Sequence, residues 1–204
     1  MQNAHIIVQF TQIMCYDLTT PQGVIDAMAY RDASMADNVS WVHDHWDGRI
    51  AVWAHNAHIA EAQYFSYISP TFAEWKYTGQ YLRERYPEQY LAIGTSFYQG
   101  SFNAYGPDYN LHVFTVGVPQ PDSYNATLGD DNILLDLRVI PPRGPIYAWG
   151  KGPSYFRWIG GYYDPTETTE YEGVFPVKQF YLTSLRDSFD VVIQLQQVTP
   201  SQLL

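Results

Sequence analysis

The sequence predicts an α/β fold, a mostly parallel sheet flanked by helices, on three observations. Some segments place apolar residues at helical spacing, others are short apolar runs rich in β-branched residues, and the two kinds alternate with Gly or Pro between them. At 204 residues the chain can bury a full core, so residues 1–204 read as a single domain.

Over residues 24–46, Met28, Met35, Val39 and Val42 recur at spacings of seven, four and three and form one apolar stripe, which predicts a helix. Asp47-Gly48 stops it, because Gly takes the left-handed position after a helix without a steric penalty. Residues 49–54, RIAVWA, then read as a buried strand. A helix is expected at 60–67, ended before Pro70, and another at 78–86, closed by Pro87. Strands are expected at 90–96, 111–118, 133–140 and 189–198, with Ser123 as the N-cap of a short helix. The stretch 140–167, IPPRGPIYAWGKGPSYFRWIGGYYDPTE, reads as a long aromatic loop covering a site.

Composition narrows the partners. The formal net charge of -10, from 21 acids against 11 bases, disfavours nucleic acid and anionic membranes, which bind through clustered Lys and Arg. Aromatic residues make up 17% of the chain, including 18 tyrosines, and either enlarge the core or line a cleft for a bulky amphipathic ligand. The single cysteine, Cys15, excludes an intramolecular disulfide framework and makes a cytoplasmic protein the expectation. The first residues, MQNAHIIVQFTQIMC, lack a basic region and are interrupted by His5, Gln9 and Gln12, so neither a signal peptide nor a membrane anchor is expected.

The stretch most suggestive of chemistry is RIAVWAHNAHIAEAQ, residues 49–63. His55 follows the expected strand, and ligands of α/β sheets sit at the carboxyl ends of strands. An imidazole, with an ordinary pKa of about 6.5, can take a proton from water or give one to a leaving alcohol. A buried histidine bonded to the backbone is the competing reading; the company of Asn56 and His58 weighs against it. His55, His58 and Glu61 are also a possible metal set, but histidines three apart across a strand-to-helix junction do not match the i, i+4 helical pairing of zinc hydrolases, so no metal is expected. Ser96 in GTSFY and Ser101 after Gly100 start like nucleophile elbows but lack the second Gly, so both read as structural. Arg31 lies seven residues before Asn38, on one line of the helix with Met35 and Val42. It either pairs with Asp32 or another carboxylate, or aims a guanidinium at a developing oxyanion. HDH at 43–45 reads as a solvated helix end.

R-D-x-x-M-x-x-N-x-x-W from Arg31 to Trp41, followed by W-A-H-N-A-H from Trp53 to His58, resembles the erythromycin esterase family. Weaker matches follow in order: Gly79 with Leu82, IGTSFYQGSFNA at 93–104, Asp136-Leu137-Arg138, RWIGGYYDP at 157–165 and FDVVIQLQQVTP at 189–200. The resemblance implies an α/β fold and a hydrolase, without cofactor or metal, in which activated water attacks an ester carbonyl and histidine moves the proton. Some members open macrolide lactones and so confer antibiotic resistance. Carried onto this chain, it makes His55 the first choice for the active-site imidazole, His58 the second, Asn56 an orienting donor and Arg31, with Asp32, part of a motif; Trp53, Trp149 and Tyr155 are expected to hold a bulky substrate. Family members are about twice this length, and their G-E-x-x-H segment has no counterpart here, so the chain resembles the C-terminal part of a larger domain. A missing N-terminal half or a second copy is the expected partner. The competing readings are a non-catalytic binding module for an aromatic or polyketide-like ligand, and an inactive half-domain.

Overall fold

The computed structural model describes residues 2–62, 75–166 and 179–202. The chain divides into two compact units, Met1–Ala92 and Ile93–Leu204.

The first unit is helical among its described residues: α1 (Gln2–Ile13), α2 (Pro21–His45), α3 (Asn56–Ile59) and α4 (Thr78–Arg85). The helix expected at 24–46 is α2, which starts three residues early because Thr20 caps it, accepting from the Gly23 N–H at 3.1 Å, and Pro21 supplies a preset first φ. α1 packs on α2 through polar groups. Gln2 donates to Asn38 at 2.7 Å, and Asn38 donates to the buried Gln9 at 3.0 Å, while Ile7, Phe10 and Met14 stay exposed.

Residues 49–54 correct the sequence reading: they form no strand, and the stretch is largely exposed. A strand needs a neighbour to receive its backbone hydrogen bonds, and the described residues of this unit supply only helices. The helix expected at 60–67 is replaced by α3, which ends at its cap Ala60; residues 63–67 lie outside the described ones. α4 forms as expected and brings α3 close. A Cβ on Gly79 would stand 2.2 Å from the Ile59 carbonyl oxygen, so only glycine permits this approach. Arg83 forks onto Glu61 at 2.9 and 2.5 Å, tying the end of α3 to α4. The Tyr90 hydroxyl, beyond the end of α4, donates to Ile59 O at 2.6 Å and adds a second tie.

The second unit holds β1 (Ile93–Tyr105), β2 (Leu111–Val116), α5 (Tyr124–Leu128), β3 (Ile133–Asp136), α6 (Pro145–Lys151), β4 (Ser154–Arg157), β5 (Phe180–Thr183), α7 (Leu185–Ser188) and β6 (Val191–Val198). Its larger sheet has the order β2-β1-β6-β3, and β4 pairs with β5 in a second, smaller one. The α/β class is therefore as predicted, with helices packed on a sheet. The pairing differs: β1 and β6 are parallel, but β1–β2 and β3–β6 are antiparallel, where a mostly parallel sheet was expected. The short β1–β2 connection explains the first case, since only an antiparallel hairpin closes over so few residues. Tyr109, at φ 57, makes that turn.

Ser123 caps α5 as expected, accepting from the Ala126 N–H at 3.1 Å. The strand expected at 133–140 stops at Asp136, whose carboxylate accepts from the Arg138 N–H at 3.0 Å and starts a 3-10 turn, Leu137–Val139. The stretch expected as a loop from 140 onward is corrected: among its described residues Pro145 opens α6, and β4 forms because β5 pairs with it. Asn125, fully buried, donates to Ser96 Oγ at 2.7 Å and to Gln194 at 2.9 Å, and accepts from the Arg157 N–H at 2.7 Å. Ser96 is thus a structural hydroxyl, and Ser101 pairs across the hairpin with Thr115 at 2.7 Å. Among the described residues no helix is long and apolar enough to cross a membrane.

Candidate functional site

The site grows from one acid on the inner face of α2. Asp32 has no exposed surface, and a carboxylate taken out of water must be met by donors. Four groups meet it. Oδ1 accepts from the Thr78 N–H at 3.0 Å, from the Thr78 hydroxyl at 2.8 Å and from His58 Nδ1 at 2.8 Å; Oδ2 accepts from the Trp75 indole at 3.0 Å. Trp75 and Thr78 are themselves buried.

Donor logic assigns the His58 ring. Arg31 Nη1 lies 2.7 Å from Nε2, and a guanidinium only donates, so Nε2 offers its lone pair. Asp32 only accepts when ionised, so Nδ1 carries the proton. Consecutive residues of α2 therefore grip the two nitrogens of one imidazole, an arrangement that fixes both tautomer and ring plane. The His58 side chain keeps 18% of its surface exposed.

His55 has a different task. It is the N-cap of α3, at φ -61 and ψ 147, and its Nδ1 accepts from the Ala57 N–H at 3.2 Å. The strand-end argument for His55 falls with the strand at 49–54. Asn56 is buried at the start of α3. Trp53 is 94% exposed. Trp149 and Tyr155 belong to the second unit, where Trp149 packs edge-on against Tyr124 with ring centroids 5.0 Å apart and Tyr155 lies on β4. The structure thus brings Arg31 and His58 into one cluster and sets His55 and Asn56 at the start of α3, the helix that carries His58. The trio His55, His58 and Glu61 does not converge as a ligand set: Glu61 holds Arg83, and both His58 nitrogens are engaged on α2.

Sequence reasoning misses three residues of the cluster as site residues. Asp32 reads from sequence as a partner for Arg31 or a member of its motif, whereas the acid turns to His58. A lone acid on the buried side of an amphipathic helix is the available signal, since it demands donors from elsewhere. Thr78 and Trp75 carry no signal of their own; a Thr before a Gly at a helix start reads as capping.

The family model for erythromycin esterase matches residues 1–198. Among solved structures, a protein from Bacillus cereus aligns over 100% of this chain and 46% of its own, at 30% identity and a TM-score of 0.79. A succinoglycan biosynthesis protein aligns over 94% of this chain and 42% of its own, at 25% identity and a TM-score of 0.71. An erythromycin esterase mutant in its open conformation aligns over 84% and 38%, at 18% identity and a TM-score of 0.48. The chain spans less than half the length of each.

Proposed function

Because the chain belongs to the erythromycin esterase family, we propose that it supplies the histidine half of a hydrolytic site acting on a carboxylic ester or lactone, with His58 as the group that moves the proton. The observation that carries this reading is the fully buried Asp32, 2.8 Å from His58 Nδ1. A carboxylate there orients the ring and stabilises the imidazolium formed when Nε2 takes a proton.

The proposed reaction begins when Arg31 yields Nε2 to a water molecule. His58 Nε2 removes a proton as the water oxygen attacks the carbonyl carbon, and the carbonyl oxygen becomes an oxyanion. Arg31, released from the ring, has donors for that charge. Collapse breaks the carbon–oxygen bond to the alcohol, which receives the proton back from Nε2. The products are an acid and an alcohol, with one water consumed. Asp32 is a positioning residue in this scheme; His55 caps the helix that presents His58. Trp53, exposed just before α3, remains a proposed substrate contact, and the bulk it suits is that of an aryl ester or macrolide lactone.

The test is incubation with phenyl esters and macrocyclic lactones, followed by mass spectrometry. A product heavier by one water for a lactone, lost in His58→Gln, is expected. Substrate that binds, by tryptophan quenching, yet is returned unchanged contradicts hydrolysis and favours a binding module.

A further inference from the structure

The carboxylate that orients His58 is itself held from α4. Thr78 is the first residue of that helix, so its N–H has no partner within it and is free to serve an outside acceptor. Both Thr78 donors go to Oδ1, the oxygen that touches the imidazole, at 3.0 and 2.8 Å. The hydroxyl also lies 3.1 Å from the Asp32 carbonyl oxygen, but the charged oxygen is the stronger acceptor for its single proton. With Trp75 on Oδ2, donors on both oxygens set the plane of the carboxylate.

We propose that Thr78 is a positioning residue of the site: its hydroxyl pins Asp32 Oδ1 against His58 Nδ1 and so keeps the imidazole aimed for proton transfer. This rests on the assignment of His58 as the proton carrier. Gly79, next in sequence, admits α3 to within reach, so one dipeptide at the start of α4 both draws α3 in and locks the acid that faces its histidine.

Thr78→Val keeps the branched shape and the backbone N–H and removes only the hydroxyl; Thr78→Ser keeps the hydroxyl. Two readouts are compared in the folded variants: solvent exchange of the His58 Nδ1 proton by nitrogen-edited proton NMR, and kcat and KM for a phenyl ester. In Thr78→Val the proton is expected to exchange at least about tenfold faster, as befits loss of a charge-assisted bond. Its kcat falls about 10- to 100-fold with KM within about twofold, the signature of misplacement. Thr78→Ser restores both. Parent-level exchange in folded Thr78→Val, or a Thr78→Ser as impaired as Thr78→Val, overturns the proposal. Should Thr78→Val not fold, Thr78→Cys retains a weak donor and is expected to give intermediate exchange, and parent-level exchange there overturns it equally. Exchange is read without substrate. Faster exchange in a chain that hydrolyses no ester therefore upholds Thr78 and sinks the hydrolase reading, and unchanged exchange in an active one does the reverse.

Discussion

His58 Nδ1 lies 2.8 Å from Oδ1 of Asp32, a carboxylate with none of its side chain in solvent. Replacing that acid by Asn preserves shape but turns one acceptor into a donor facing other donors. Asp32→Asn is expected to lose about 1–3 kcal/mol of stability. It should also lower kcat by about a thousandfold or more, since the ring loses its orienting charge. Chemical denaturation and ester turnover check the two halves, and full activity in a folded Asp32→Asn would remove the acid from the mechanism.

Gly79 sits where a Cβ would come 2.2 Å from the backbone oxygen of Ile59. That contact is with backbone and not with a flexible side chain, so α3 and α4 must part. Gly79→Ala should cost about 2–3 kcal/mol, in the range of an overpacked core. Because α3 carries His58, hydrolysis should fall with it. A thermal melt matching the parent's would show that the helices part without strain.

Arg157, 1% exposed, donates to the carbonyls of Phe97, Tyr98 and Gly117 and lies between the rings of Phe97 and Phe180. Burial pushes its pKa down to about 10. Arg157→Leu removes three donors at once and should destabilise the second unit by about 2–4 kcal/mol. Arg157→Lys keeps a charge but not the fork, and should fall between. Differential scanning calorimetry ranks them; equal stability of all three would make the guanidinium dispensable.

Asp108 at the β1–β2 turn accepts from the Asn110 side chain at 2.9 Å, from its N–H at 3.1 Å and from the His112 ring at 2.9 Å. These donors lower its pKa to about 2. A depressed carboxyl contributes stability above the unfolded value of about 3.9, and that contribution is lost as pH falls through about 2. Carbon-detected NMR should find the Asp108 midpoint near the lower value, and Asn110→Ala should raise it. A midpoint unmoved by Asn110→Ala would assign the shift elsewhere.

How much of this was legible depended on whether a residue's environment was local. The α2 helix, the Ser123 cap and the β2 hairpin strand were readable because periodicity and capping act within a few residues. Residues 49–54 misled for the opposite reason: their apolar, β-branched composition suits a strand, but a strand exists only where another pairs with it. The histidines were found by type and spacing, but their orientation was not legible in the sequence. His55 and His58 look alike in sequence; one caps a helix, and the other meets an acid 26 positions earlier. Thr78, 46 positions from Asp32, was out of reach of any local pattern.

Whether His58 and not His55 moves the proton is decided by kcat for a phenyl ester in two variants. His58→Gln removes the imidazole from Asp32, whereas His55→Asn keeps a capping acceptor for α3. A loss of at least about a hundredfold is expected in His58→Gln and less than about tenfold in His55→Asn, both folded, in line with the usual weight of a general base. A larger loss in His55→Asn than in His58→Gln contradicts the assignment of His58.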